Sequence, residues 1–229
     1  MHPFELNPEA MARVTAKLGR PFMIERLEPS RTALIVVDMQ NYFMAPGQQF
    51  ETPTAREIVP AVNLLAAGLR AAGGTVVWIE NLAPEDSARE WPTYSARYSP
   101  AGWARRDRSL KPDDTGFQLW PALDVQSTDL RVRKTRFSAF IQGASTLEQL
   151  LRAAAIDTLL ITGVATNICC ESTARDAMML NFKVIMVSDA CAAPSDALHA
   201  ASLNGFYEFF GDVRTSADLL KMLSLAQAA

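Results

Sequence analysis

The sequence predicts an α/β protein in which helices cover both faces of a parallel β-sheet. Short aliphatic and β-branched runs alternate along the chain with longer amphipathic segments, which is the pattern expected of such a sheet. A chain of 229 residues, 49% hydrophobic and 21% charged, can bury one large core. No internal repeat or low-complexity linker interrupts the order. We therefore expect one domain over residues 31–229, preceded by an N-terminal arm or helix over residues 1–30.

The individual elements follow from the spacing of apolar residues and from turn signals. Val59, Val62, Leu65 and Leu69 recur at helical spacing, and the pair Gly73 and Gly74 can end that helix at positive φ. Strands are predicted over residues 33–38, 75–80, 130–134, 158–162 and 184–187, with a short one near Val213. Helices are predicted over residues 56–72, 147–155 and 169–180, and on both sides of the last strand.

Net charge and cysteine content indicate which kinds of binding partner and which cellular compartment to expect. The formal net charge is -3, so nothing in the composition attracts nucleic acid or an anionic membrane surface. No run is long and apolar enough to cross a bilayer, and no charged segment leads into an apolar stretch at the start. Three cysteines, two of them adjacent, make a poor disulfide framework. We expect a cytoplasmic protein whose partner is a small molecule or another protein.

A candidate nucleophile lies in the segment 163–176, where a buried apolar run meets a predicted helix. Cys169 lies near unpaired backbone N–H groups and the positive helix end there, and both would favour thiolate. Asp38 closes the first predicted strand and Lys134 the third. Because ligands bind outside the carboxyl ends of strands in open α/β sheets, these three groups could converge. A thiol, a carboxylate and an ammonium together can perform acyl transfer.

Each of these residues also has a structural interpretation. A buried cysteine is commonly inert, Asp38 could simply end a strand, and Lys134 lies among arginines of the kind found on a solvated edge strand. Cys170 is interpreted as core packing and Cys191 as structural. Thiol redox chemistry is disfavoured because the paired cysteines are adjacent instead of spaced Cys-x-x-Cys.

Histidine and glycine placement argue against other sites. Only His2 and His199 occur, and neither lies at a predicted strand end, so a Cys-His pair and a zinc site are both disfavoured. Neither a G-x-G-x-x-G turn nor a phosphate-binding G-x-x-x-x-G-K-[ST] loop follows a predicted strand. We expect neither a metal nor another cofactor.

Three motifs in order resemble the isochorismatase-like cysteine hydrolases. They are Ala-Leu-Ile-Val-Val-Asp-Met-Gln-Asn at 33–41, Lys134 within Arg-Lys-Thr-Arg-Phe-Ser, and Gly-Val-Ala-Thr-Asn-Ile-Cys at 163–169. The resemblance covers about residues 30 to 220. It implies a three-layer αβα fold with a six-stranded sheet of order 3-2-1-4-5-6 and a Cys169, Asp38 and Lys134 triad. It also implies a cis peptide bond before Ala165 and an oxyanion hole formed by the Ala165 and Cys169 N–H groups.

Departures from the family pattern indicate which branch of the family the sequence resembles. Isochorismatase itself typically has no cysteine at the nucleophile position, and nicotinamidases hold a metal through histidines that residues 42–60 lack. The motifs around residues 38–41, 163–173 and 204–211 look most like the ureidoacrylate hydrolases. The resemblance implies hydrolysis of a C–N bond in a small ureido or carbamoyl compound, ureidoacrylate-, biuret- or triuret-like, through an acyl-thioester with release of ammonia. An amidase on an N-carbamoylsarcosine- or maleamate-like amide, or a binding module without catalysis, stays open.

Further residues are candidates for substrate contact. Polar side chains at strand ends could match a ureido group, and aromatic ones could wall the pocket or fill core. The polar candidates are Gln40, Asn41, Glu80 and Asn81, and the aromatic ones are Phe43 and Phe137. Residues 85–111 interleave aromatic residues with arginines; the acidity of the chain argues against single-stranded nucleic acid, and we expect a lid, a subunit contact or both. The resemblance implies a homodimer or homotetramer.

Overall fold

A six-stranded, wholly parallel sheet forms the centre of the molecule. The structure, a computed structural model, describes residues 1–227. The strands are β1 Thr32–Val37, β2 Thr75–Asn81, β3 Leu130–Lys134, β4 Thr158–Val164, β5 Lys183–Ala192 and β6 Asp212–Arg214. Their order is β3-β2-β1-β4-β5-β6, which confirms the predicted fold class and strand order.

Ten α-helices lie among the described residues. They are α1 Pro8–Leu18, α2 Asn41–Met44, α3 Val59–Ala71, α4 Ser87–Glu90, α5 Pro92–Ser95, α6 Pro100–Ser109, α7 Leu147–Ala153, α8 Glu171–Met179, α9 Asp196–Phe209 and α10 Ser216–Gln227. Short 3-10 turns cover Pro29–Arg31, Pro53–Arg56 and Thr115–Phe117. Gly73 ends the turn after α3 at a φ of 85°, as predicted.

Strand β1 shows how the sheet separates two cores. Ala33, Ile35 and Val37 pack into one cluster together with apolar residues of α7, α8 and α9. Leu34 and Val36 point to the opposite face and pack with α3 and α10. Because successive side chains of a strand alternate between faces, a strand buried on both sides is continuously apolar. This burial explains why the central strands were recognisable in the sequence.

Residues 1–30 lie outside the sheet and contain α1. The Asn7 side chain caps that helix by accepting from the Glu9 N–H at 2.8 Å, and the Asn7 N–H donates to Asn204 of α9 at 2.9 Å. The rings of His2 and His199 stack at 4.6 Å. The N-terminal segment is therefore attached to α9. No helix within residues 1–227 is long and apolar enough to cross a membrane.

Two predicted segments differ from the structure. The helix predicted over residues 169–180 is wrong at its start, because a π-helical turn covers Thr166–Cys170 and α8 begins only at Glu171. Strand β5 runs five residues beyond its predicted end at Val187 and reaches Ala192. Both differences lie at the carboxyl end of the sheet, where loop geometry and not apolar periodicity decides the path of the chain.

Candidate active site

Asp38 and Lys134 form a buried ion pair at the carboxyl end of the sheet. Nζ of Lys134 lies 2.7 Å from Oδ2 of Asp38, and neither side chain is exposed to solvent. Lys134 also donates to the carbonyl of Arg136 at 3.0 Å, and the Asn81 side-chain amide lies 3.4 Å from the same Asp38 oxygen. The other carboxylate oxygen, Oδ1, is buried without a hydrogen-bond partner. The pair thus leaves one acceptor oxygen free.

Asp38 takes its position through an unusual backbone conformation. It is the first residue after β1 and has a φ of 53°, in the left-handed region that non-glycine residues seldom occupy. Its N–H still donates to the Ile79 carbonyl of β2 at 3.0 Å, so the strand pairing holds the residue at the end of the sheet. The neighbouring strand on the other side, β4, leads to Cys169. Asp38 and Cys169 therefore flank the point between β1 and β4 where the strand order reverses, which is the usual ligand position in such sheets.

Cys169 lies beside both Asp38 and Lys134, whose charges act on its thiol. Burial raises the pKa of this thiol well above its usual value, the Asp38 charge raises it further, and Lys134 offsets only part of this. Burial alone would lower the pKa of Lys134, but the charge of Asp38 and the hydrogen bond to it outweigh burial and raise that pKa. Burial and the Asp38 charge thus act against the thiolate that the sequence predicted from the position near a helix start. The resting group is a thiol beside an ion pair.

The π-turn sets the amides around the sulfur. The Ala165 carbonyl accepts from the N–H groups of Ile168 and Cys170, both at 3.1 Å. In an α-helix the Cys169 N–H would donate to the Ala165 carbonyl. In this π-turn the Cys169 N–H is not one of the two donors. The peptide bond between Val164 and Ala165 is cis, as the resemblance implied.

Gly163 allows this turn to begin next to β1. Its φ is 110°, and a Cβ there would lie 2.1 Å from the Val37 carbonyl oxygen and 2.7 Å from the Val37 nitrogen. No side chain fits such a contact with backbone. The glycine therefore permits β4 to approach the residue before Asp38 closely.

The turn is also tied to α9. Nδ1 of His199 lies 2.9 Å from the Thr166 hydroxyl, and the Ser202 hydroxyl donates to Glu171 at 2.7 Å. Sequence reasoning missed this role of His199. The available signal was a histidine within the apolar stretch of a helix, where burial calls for a polar partner.

The predicted polar contacts fall into two groups. Asn81 lies beside Asp38, whereas the Gln40 amide is fully used by backbone: its Oε1 accepts from the Asn81 N–H at 2.7 Å and its Nε2 donates to the carbonyls of Asn81 and Phe117. Asn41 donates to the Thr115 carbonyl at 2.8 Å. Glu80 precedes Asn81 in β2, so its side chain lies on the opposite face of the sheet. There it pairs with Arg131. The structure therefore brings Asn81 to the ion pair and directs Glu80 away from it.

The predicted aromatic contacts lie on different sides of the site. Phe137 is half-buried and packs against the core cluster that contains Cys169. Phe43 packs against the opposite core and edge-on to Tyr42, with ring centroids 4.9 Å apart. Cys170 is buried in the core, with its sulfur 3.7 Å from the Thr162 carbonyl, and Cys191 is buried 3.4 Å from the Ile161 carbonyl.

Residues 85–111 hold α4, α5 and α6 and dock beside Phe137. The rings of Trp91 and Tyr94 lie 4.9 and 5.0 Å from the Phe137 ring. Arg136 donates to the Glu90 carbonyl at 2.7 Å, and Lys111 donates to the carbonyls of Ala83 and Pro84 at the base of the segment. Cys169 is only 4% exposed. The candidate site is thus closed to solvent.

Comparison with known proteins shows the family and similar folds. Residues 32–218 match the isochorismatase domain. A cysteine hydrolase from Pseudomonas syringae pv. phaseolicola 1448A is 30% identical, with a TM-score of 0.80 over 91% of this chain and 100% of the other. An isochorismatase family protein from Desulfovibrio vulgaris subsp. vulgaris str. Hildenborough is 26% identical, with a TM-score of 0.72 over 85% and 98%. An N-carbamoylsarcosine amidase from Thermoplasma acidophilum is 28% identical, with a TM-score of 0.63 over 81% and 96%.

Proposed function

This chain belongs to the isochorismatase family, and on that basis we propose that it is a cysteine-dependent amidohydrolase of small ureido or carbamoyl compounds. The observation that carries the proposal is the buried Asp38 and Lys134 pair, which keeps one carboxylate oxygen unpaired beside a thiol. A protonated thiol needs a base at the moment of attack, and among the described residues Asp38 is the carboxylate whose charge acts on the Cys169 thiol.

The first half-reaction forms a bond from sulfur to carbon. As the Cys169 sulfur attacks the substrate carbonyl carbon, its proton passes to Oδ1 of Asp38. The carbonyl oxygen becomes negative and binds the N–H groups of Ala165 and Cys169. The C–N bond then breaks, the nitrogen takes the proton from Asp38, and ammonia leaves. The product is an acyl or carbamoyl thioester on Cys169.

The second half-reaction returns the protein to its starting state. Asp38 takes a proton from water as the water oxygen attacks the thioester carbon, and the carbon–sulfur bond breaks. The same proton then returns to the sulfur. Lys134 stays charged throughout, because its pKa is raised by the groups around it, and it keeps the Asp38 carboxylate in place.

Substrate entry requires a movement, since all three side chains are buried. The segment that carries α4, α5 and α6 is the element we assign to this movement, because it covers Phe137 with the Trp91 and Tyr94 rings. Its contacts with the rest of the chain near the site are aromatic stacking and a few hydrogen bonds. Such a surface segment can open without disturbing the sheet.

Ammonia release from a panel of ureides and small amides tests the proposal. Cys169→Ser should abolish turnover, whereas Cys170→Ser, which changes the adjacent buried thiol, should keep most of it. Asp38→Asn should lose turnover while substrate still binds. If Cys170→Ser alone removes activity, the nucleophile is misassigned, and a folded protein that hydrolyses nothing in the panel would favour a binding module.

A second candidate function is hydrolysis of an N-carbamoyl amino acid or another small amide. The observation in its favour is the similarity to the N-carbamoylsarcosine amidase at 28% identity. The same panel separates the two, because N-carbamoyl amino acids and maleamate-like amides stand in it beside biuret and ureidoacrylate. The compound with the highest kcat/KM decides between them.

A further inference from the structure

Arg106 is a buried cation without an anionic partner. It lies on α6 and is 5% exposed. Its guanidinium carbon lies 5.2 Å from the centre of the Tyr94 ring and 5.0 Å from that of Trp103. No carboxylate among residues 1–227 pairs with it. Buried charges in proteins are normally paired, and stacking on aromatic rings replaces only part of the lost hydration.

The neighbouring arginines of α6 behave differently. Arg105 is exposed and donates to the Gly47 carbonyl at 2.7 Å, and Arg108 is exposed and pairs with Asp113 at 3.0 Å. The helix therefore satisfies its outer arginines and leaves its inner one with unused N–H donors. This difference is not explained by packing, because an apolar side chain could fill the same space.

Tyr42 supplies a second unused donor next to Arg106. It is 1% exposed, and its hydroxyl is buried without a partner. Tyr42 packs against Leu110, which directly follows α6 and donates its N–H to the Arg106 carbonyl at 3.2 Å, so Tyr42 lies beside the helical turn that carries Arg106. Burial raises the pKa of Tyr42, and the charge of Arg106 offsets part of that rise. The hydroxyl therefore stays protonated and can donate. Tyr98 on the same segment differs, since its hydroxyl lies 2.6 Å from that of Tyr94.

These two donors lie on segments that border the candidate active site. Tyr42 is four residues beyond Asp38, in the helix that follows β1. The Tyr94 ring beneath Arg106 lies 5.0 Å from Phe137, which packs against the core cluster that contains Cys169. A small molecule whose carbonyl is at Cys169 would have its far end on this side, under the segment that holds α6.

We propose that Arg106 and Tyr42 form a subsite that binds a carboxylate at the far end of the substrate. A planar guanidinium and a hydroxyl can each donate to one carboxylate oxygen, and neither group is negatively charged at neutral pH. The inference rests on the proposed function and narrows it: the substrate is a ureide or amide with an anionic end, such as a ureido acid, and not a neutral compound such as biuret.

Binding to the Cys169→Ser protein tests the subsite without turnover. The probes are 3-ureidopropanoate and its methyl ester, which differ at one end by the charge and one methyl group, and titration calorimetry measures the binding of both. We expect the acid to bind about 10- to 100-fold more tightly than the ester, as hydrogen bonds to a charged group imply. Arg106→Gln in this background should remove the preference, and Tyr42→Phe should reduce it.

Matched variants separate recognition from folding. Arg108→Gln removes an exposed arginine of the same helix, and Tyr98→Phe removes a hydroxyl that already has a partner; both should keep the full preference. If Arg106→Gln does not fold, the comparison of Tyr42→Phe with Tyr98→Phe decides the matter. Equal binding of acid and ester, undetectable binding of the acid at millimolar concentration, or a preference that survives Arg106→Gln would overturn the subsite. Absent ammonia release with an intact preference would instead overturn the hydrolase assignment alone.

Discussion

Lys134 binds one oxygen of Asp38 at 2.7 Å and leaves the other oxygen unpaired within the protein. This ion pair affects both the stability of the fold and the proposed chemistry. The ammonium makes it possible to bury a carboxylate, and because it occupies one oxygen only, the carboxylate remains available as a base.

Lys134→Met should destabilise the protein by about 3 to 5 kcal/mol, because it leaves a buried carboxylate without its counter-ion. Urea denaturation measures the change. Arg133→Met, at the exposed neighbouring position of β3, should stay within about 0.5 kcal/mol. Adding Asp38→Asn to Lys134→Met should recover much of the loss, since no unpaired charge then remains. If the double variant is as unstable as the single one, packing by the lysine stem explains the effect.

The Cys169 thiol should stay protonated in the free protein near neutral pH. Burial and the Asp38 charge raise its pKa, so the neutral form dominates near neutral pH. The absorbance near 240 nm, taken as a difference between the wild type and Cys169→Ser, reports the thiolate. Asp38→Asn removes a negative charge and keeps Lys134, so its thiol should ionise at lower pH than the wild type. A thiolate step near neutral pH in the wild type would mean that a thiolate ion pair is the resting state.

Gly163→Ala should destabilise the protein by at least about 3 kcal/mol, since the new methyl group would meet Val37 backbone atoms that cannot move away. Gly143→Ala is the matched control. Gly143 also has positive φ, at 76°, but nothing lies within 4 Å of the added carbon, so only the conformational cost of about 1 to 2 kcal/mol applies. Equal losses in the two variants, measured by urea denaturation, would show that the contact with Val37 is not limiting.

The sheet was predictable because burial on both faces makes its strands continuously apolar. Ile35 and Leu34 lie in opposite cores, and the sequence carries no alternation there. The positions of Asp38 and Lys134 followed, because each residue comes directly at a strand end. Their pairing across β2 depended on the strand order, which the family resemblance supplied.

The features that were missed depend on local hydrogen bonding or on tertiary burial. The π-turn shifts one hydrogen bond from Cys169 to Cys170, a change that leaves no trace in apolar periodicity. The sequence predicted a thiolate from the nearby helix end, but the thiol is protonated because burial in the core and the Asp38 charge raise its pKa. The buried Arg106 looked like its exposed neighbours, because nothing in the sequence of residues 85–111 distinguishes the inner face of α6.

His199 should make the protein less stable as the pH falls from about 6.5 to about 4. Burial, with a smaller contribution from the neighbouring His2, lowers the pKa of His199 to about 4. In the unfolded chain this histidine takes up a proton at about pH 6.5, whereas in the folded protein it stays neutral down to about pH 4. The free energy of unfolding is therefore highest above pH 6.5 and falls progressively below it. The loss between pH 7 and pH 5 should be about 1 to 2 kcal/mol. His199→Asn, whose amide can still reach the Thr166 hydroxyl, should be less sensitive to pH by that amount, whereas His2→Asn should keep most of the sensitivity. Urea denaturation at the two pH values measures both, and an unchanged difference in His199→Asn would assign the pH dependence to other groups.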